Sequence, residues 1–241
     1  LINLAWQKDR FFWDGRVSTL KEQAGLPIED PLEMHLPIAQ AEQRLQRHPE
    51  YVDLFWKAFG TKTVTRDLIT KAIEQFEKTL LSYNSKFDKY ARGEMELSAS
   101  ELRGLDIFKT EKGDCFHCHS STAPEVFISP DRTFANNGLD SVSSVLDFAD
   151  FGLGKFTGNV NDYGRFKIPT LRNLAFTAPY MHDARFATLD EVIDFYSAGP
   201  KGSPTLEPIM REKANKRVEL TGHWGLNLST QEKADLKAFL L

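Results

Sequence analysis

Both cysteines of this 241-residue chain lie in one pentapeptide, Cys115-Phe116-His117-Cys118-His119. No thiol remains outside it, so neither a disulfide scaffold nor a Cys-rich zinc cage can organise the fold. Cys-x-x-Cys-His is the spacing at which two thiols reach the vinyl groups of a haem while the adjacent imidazole reaches its iron. The pentapeptide therefore reads as a c-type haem attachment site: Cys115 and Cys118 bind covalently and His119 is the proximal ligand. A redox Cys-x-x-Cys is expected within a βαβ pattern, and the His half of a zinc finger needs wider spacing than His117 and His119 offer; the neighbourhood has neither. His117 is expected to be an exposed filler residue.

The rest of the composition narrows the partners. With 41% hydrophobic residues the chain can bury a core, and its formal charge of −4 gives no footprint for nucleic acid. No apolar run approaches the roughly 20 residues of a membrane helix, so no membrane span is expected. The chain opens at Leu1-Ile2-Asn3-Leu4 without an initiator Met or a signal-peptide pattern. The expectation is that a leader has been removed. Covalent c-haem is attached outside the bacterial cytoplasm, which points to the periplasm.

Periodicity points to an all-α fold. Leu68, Ile69, Ala72, Ile73, Phe76 and Leu80 recur at three- and four-residue steps, an amphipathic helix. Ser98 with Glu101, Thr188 with Glu191 and Ser229 with Glu232 are capping boxes that mark three more helix starts. No pair of alternating apolar runs is joined by a hairpin turn, so a substantial sheet is not expected. Residues 120–179 are polar and rich in Gly, Asn and Asp, a stretch too long for an ordinary loop. A haem face gives such a loop something to wrap. Gly93 to Ser98, between two helical runs, suggests the boundary of two domains, 1–94 and 95–241.

Four further segments, in order around the pentapeptide, carry a resemblance: Phe11-Phe12-Trp13-Asp14-Gly15-Arg16, Pro31-Leu32-Glu33-Met34, Lys167-Ile168-Pro169-Thr170-Leu171-Arg172-Asn173 and Ala178-Pro179-Tyr180-Met181-His182-Asp183. Together they resemble the bacterial dihaem cytochrome c peroxidase and MauG superfamily over nearly the whole chain. The resemblance implies two cytochrome c-like haem domains with long haem-wrapping loops. The His119 haem corresponds to the electron-transferring one, and a second, peroxidatic haem is expected upstream of Leu1. Residues 1–94 would be the remaining part of the peroxidatic domain, and 95–241 the C-terminal cytochrome domain.

The same resemblance assigns roles to Trp13, Gln23 and Glu33, spaced ten apart. Trp13 would bridge the haems; Gln23 would hold bound peroxide; Glu33 would carry its proton. Taken singly, each reads more simply as a core indole, a solvated amide and a helix-turn acid. The distal ligand of the His119 haem falls on Tyr196, fourteen residues after His182, where MauG-like members have tyrosine and peroxidases have Met; Met181 is the alternative. A hard phenolate favours ferric iron and a soft thioether favours ferrous iron. Calcium is implied between the domains, with the backbone carbonyls of Thr177 and Pro179 among its ligands. Arg172 would meet a haem propionate, or is a packing arginine.

The function implied is a periplasmic peroxidase that reduces hydrogen peroxide with electrons entering at the His119 haem from a small donor cytochrome or cupredoxin. One alternative is a MauG-like oxidase of a partner protein; another is a monohaem electron carrier. Dimers are common in the resembling family, so a homodimer is also implied.

Overall fold

Capping boxes set where five of the described α-helices begin. Thr19, Ser85, Ser98, Thr188 and Ser229 each accept the backbone N–H three residues on, while the acid at that position accepts the cap's own N–H. Each box satisfies two donors that a helix start would otherwise leave open. The three boxes read from the sequence are all present. The computed structural model describes residues 2–7, 9–119 and 133–241, and over these it is helix-rich. The chain divides into two compact units, Leu1–Leu81 and Ser82–Leu241.

The first unit holds α1 (Leu20–Glu29), α2 (Ile38–Gln46), α3 (Pro49–Phe59) and α4 (Arg66–Lys78). Ile28, Ala41, Phe55, Val64 and Ile69 form its core, and burial of each larger side chain contributes about 1.5–3 kcal/mol. The amphipathic helix expected around residues 68–80 is α4, but its buried stripe is rotated. Ile69, Ile73 and Glu77, at i, i+4 and i+8, turn inward, whereas Ala72 and Phe76 are exposed. Burial raises the pKa of the Glu77 carboxyl.

The second unit holds α5 (Lys86–Ala91), α6 (Ala99–Lys109), α7 (Phe116–His119), α8 (Gly154–Thr157), α9 (Leu189–Ala198), α10 (Pro208–Thr221) and α11 (Thr230–Leu240). Ile107, Phe108, Leu174, Leu189, Ile193, Leu228 and Leu236 make its core, with Cys115, Phe116 and Tyr180 packed against it. Helices α6 and α11 cross at Gly104, where a Cβ would lie 2.0 Å from the Asp235 carbonyl oxygen. The Asp235 carboxylate accepts from Ser100, Arg103 and Gln231 at the same crossing.

The division between units falls earlier than the expected 94/95. Segment 82–94 packs within the second unit: Asp88 pairs with Arg172, and Phe87 meets Phe239 edge-on at 5.5 Å. The break between helical runs at Gly93 is local and carries no information about these partners, which are distant in sequence. Of the stretch read as a long loop, 120–132 lie outside the described residues. From 133 onward it is a series of short turns around one two-stranded antiparallel pair, β1 (Phe134–Ala135) and β2 (Phe166–Lys167), the only strands among the described residues. No helix of the described residues is long and apolar enough to cross a membrane.

Candidate haem site

One turn of helix gathers the attachment residues. The N–H groups of Cys118 and His119 donate back to the Cys115 carbonyl at 3.2 and 3.0 Å, which places residues i, i+3 and i+4 side by side. The two cysteines are half-buried, and neither is in a disulfide. Burial pushes the Cys115 thiol up to about 12, with the negative charges of Asp114 and Cys118 adding to it. The thiol is thus kept neutral in an apolar setting.

His119 is oriented by the backbone. Its Nδ1 lies 3.2 Å from the Pro169 carbonyl oxygen, and a carbonyl can only accept, so Nδ1 carries the proton and Nε2 keeps its lone pair. Burial lowers the imidazole pKa to about 4, against the opposing pull of the Pro169 carbonyl. A neutral imidazole with an available Nε2 is the form that binds iron. His117 is not the exposed filler expected. It is half-buried, with Nδ1 at 2.5 Å from the Asp114 carboxylate and its ring against Phe116. Glu111 joins this pair, but Lys213 and Arg217 already balance the carboxylates.

The two rival distal ligands converge on one amide. Asn137 Nδ2 lies 3.1 Å from the Tyr196 hydroxyl oxygen and 3.7 Å from the Met181 sulfur. Burial raises the Tyr196 phenol to about 12, Asn137 works the other way, and the Cys118 and Cys115 sulfurs add to the rise. Cys115 and Cys118 on one helical face and a neutral His119 would hold a covalently attached haem, and Tyr196 and Met181, gathered at Asn137, are the side chains that could supply its further ligand.

Other predicted residues are placed less simply. Arg172 is buried, and its guanidinium closes on Asp88 through two hydrogen bonds of 2.7 and 2.6 Å. Asp88 is thus one partner of Arg172. Thr177 and Pro179 lie in an exposed stretch between a 3₁₀ turn (Leu174–Phe176) and the hairpin paired at Tyr180 and Phe186. In the first unit, Trp13 is 41% exposed in a hairpin paired at Phe11 and Val17. Gln23 is buried in α1, and its Oε1 has no hydrogen-bond partner. Glu33 is exposed in the turn after α1.

A repeat went unread in the sequence. The Trp13 hairpin and α1 recur 169 residues later as the His182 hairpin and α9. Trp13-Asp14-Gly15-Arg16 answers to His182-Asp183-Ala184-Arg185, and the caps Thr19 and Glu22 answer to Thr188 and Glu191. Phe12 and Met181 share a left-handed backbone (φ 68° and 74°), as do Gly15 and Ala184 (69° and 60°). In both copies the Arg pairs with the Asp two residues before it. Asn3 and Asn173, each left-handed before a 3₁₀ turn, extend the likeness upstream with a spacing of 170 residues, one longer. The motif Asp-x-Arg followed by Thr-Leu-x-Glu was the available signal. Asn137 was missed for a different reason, because nothing in the sequence ties it to Tyr196, 59 residues away.

A family model described as di-haem cytochrome c peroxidase matches residues 1–96. The methylamine utilization protein MauG of Methylophilus methylotrophus is 36% identical over 244 residues, covering all of this chain and 65% of that protein. The solved structure of a MauG-like protein associated with microbial copper homeostasis is 34% identical with a TM-score of 0.75, covering 95% of this chain and 70% of that one. The chain belongs to the dihaem cytochrome c peroxidase and MauG family. Cytochrome c551 peroxidase of Nitrosomonas europaea, 40% identical over 184 residues, shares 76% of this chain and 53% of its own length. The chain thus spans between half and two thirds of these two curated family members. Family membership accounts for the Cys-x-x-Cys-His site, since the family is one of dihaem cytochromes.

Proposed function

We propose that this chain is the larger part of a periplasmic dihaem peroxidase, in which electrons enter at the His119 haem and hydrogen peroxide is reduced at a second haem. The repeated hairpin and helix is the observation that carries this reading. In the second unit that element supplies Met181 and Tyr196, which meet at Asn137 and are the candidate ligands of the His119 haem. Its copy in the first unit, bearing Trp13 and Gln23, is then the wall of a second haem site. The orphaned Oε1 of Gln23 supports this, because a buried acceptor without a partner costs about 1–3 kcal/mol unless something fills that place.

Each haem supplies an iron that changes its oxidation state. Cys115 and Cys118 tether the group, and His119, oriented by Pro169, holds the iron through Nε2. Gln23 hydrogen-bonds bound peroxide. The exposed Glu33 carboxylate takes a proton from it and returns it to the departing oxygen, in exchange with solvent. Trp13 offers an indole for electron transfer between the sites. Residues 1–81 belong to the peroxidatic domain and Ser82–Leu241 to the cytochrome domain, with calcium held partly by the Thr177 and Pro179 carbonyls. A small cytochrome or cupredoxin is the donor.

Tyr196 favours a second reading within the same family. A phenolate ligand stabilises oxidised iron, which suits a haem that stores oxidising equivalents for use on a partner protein. The test is made on the full-length protein from its own source. Two covalent haems by intact mass, with steady peroxide consumption driven by a reduced small cytochrome, are expected. Oxidation of a copurifying protein in place of that turnover would favour the second reading. A single haem with inert peroxide chemistry would refute both and leave an electron carrier.

A further inference from the structure

We propose that Asn137 selects the distal ligand of the His119 haem, donating to both candidate ligands so that Tyr196 takes the iron and Met181 is held back. The inference rests on the reading of Tyr196 as a ligand and deepens it. The amide nitrogen stands 3.1 Å from the phenol oxygen and 3.7 Å from the thioether sulfur. A thioether can only accept, so the end of the amide that faces both is the NH₂ group, whose two hydrogens serve one partner each.

Donation has opposite consequences for the two partners. A phenolate oxygen keeps lone pairs after binding iron, and a donated hydrogen bond stabilises its negative charge. A thioether sulfur that accepts an N–H has less electron density to offer a metal, and its side chain is held on the amide. One residue therefore favours the hard ligand and restrains the soft one.

The amide is held in place by its neighbours. Asn136 is buried, donates to the hydroxyls of Ser203 and Thr205 at 3.0 Å each, and accepts the Glu207 N–H at its carbonyl. Gly138 donates to Asn136 Oδ1 at 2.9 Å and accepts the Lys201 N–H at 2.7 Å. Gly138 has φ of +76°, and a Cβ there would lie 2.6 Å from Pro200. Asn137 is clamped on both sides, while Tyr196 is fixed in α9 by the Leu226 N–H on its carbonyl. Such a shell is what positions a ligand-selecting group.

The experiment compares the full-length, haem-loaded parent with Asn137→Leu, Asn137→Asp, Tyr196→Phe and Asn137→Leu/Met181→Leu, by resonance Raman and absorption spectra and by reduction potential. Both single Asn137 variants are expected to lose the tyrosinate–iron bands and gain the thioether–iron charge-transfer band, and Asn137→Leu, which adds no charge, to shift the potential upward. The Met181→Leu double variant should lack the thioether band. Retention of the parent spectrum in Asn137→Leu overturns the proposal. A change in Asn137→Leu but not in the isosteric, donorless Asn137→Asp also overturns it, because shape rather than donation would then be responsible. If Tyr196→Phe itself keeps the parent spectrum, the assignment of Tyr196 as ligand has failed, and the proposal with it.

Discussion

Replacing Asp88 by Asn leaves the shape of a buried ion pair and removes one of its charges. Asp88 and Arg172 are both 7% exposed at their side chains and meet through two hydrogen bonds. Desolvation alone would raise the carboxyl pKa, yet the Arg172 guanidinium and the Ser85 cap together bring it from 3.8 down to about 2. By linkage that difference contributes about 2 kcal/mol of stability. Because the folded value is the depressed one, the contribution is fully present above 3.8 and is lost as pH falls through about 2. The variant also removes the negative charge that faces the buried Arg172 guanidinium, so the total cost at neutral pH is about 3–5 kcal/mol.

The assay is urea unfolding of the haem-loaded protein, followed by haem absorbance, for the parent, Asp88→Asn, Arg172→Met and the double variant. The double variant should recover part of the loss, with a coupling energy within the roughly 0.5–3 kcal/mol seen for residues in one network, toward its upper end. The gap between parent and Asp88→Asn should narrow as pH falls from 3.8 toward about 2. Additive costs, or a gap that does not change with pH, would refute the account of Arg172 as the partner of Asp88.

Gly104→Ala forces a Cβ against the Asp235 carbonyl; despite the roughly 1 kcal/mol gain in helix propensity, the clash should cost about 1–3 kcal/mol and lower the thermal midpoint. A raised midpoint would show that α6 and α11 do not approach so closely. Glu33→Gln in the full-length protein should slow peroxide reduction by about 10²–10⁴-fold with the haem spectrum unchanged; turnover equal to the parent would remove Glu33 from proton transfer. Trp13→Phe should slow interhaem electron transfer measured by stopped-flow after partial reduction, and unchanged kinetics would take the indole out of the path.

Local chemistry determined what could be read without coordinates. The Cys-x-x-Cys-His spacing acts within one helical turn, so Cys115, Cys118 and His119 are adjacent wherever that turn forms. The Ser98, Thr188 and Ser229 caps are equally local, each satisfying its own helix start. What required tertiary structure were contacts between residues far apart in sequence. Motif order leaves Arg172 open between a propionate partner and a packing arginine, because it contains nothing about Asp88, 84 residues away, with which Arg172 forms a buried pair. The rotation of α4 followed from the core of the first unit, which takes Ile69 and Ile73 and leaves Phe76 outside. Met181 and Tyr196 looked like exclusive alternatives in the sequence; packing brings both to Asn137, because a single amide has two hydrogens to give.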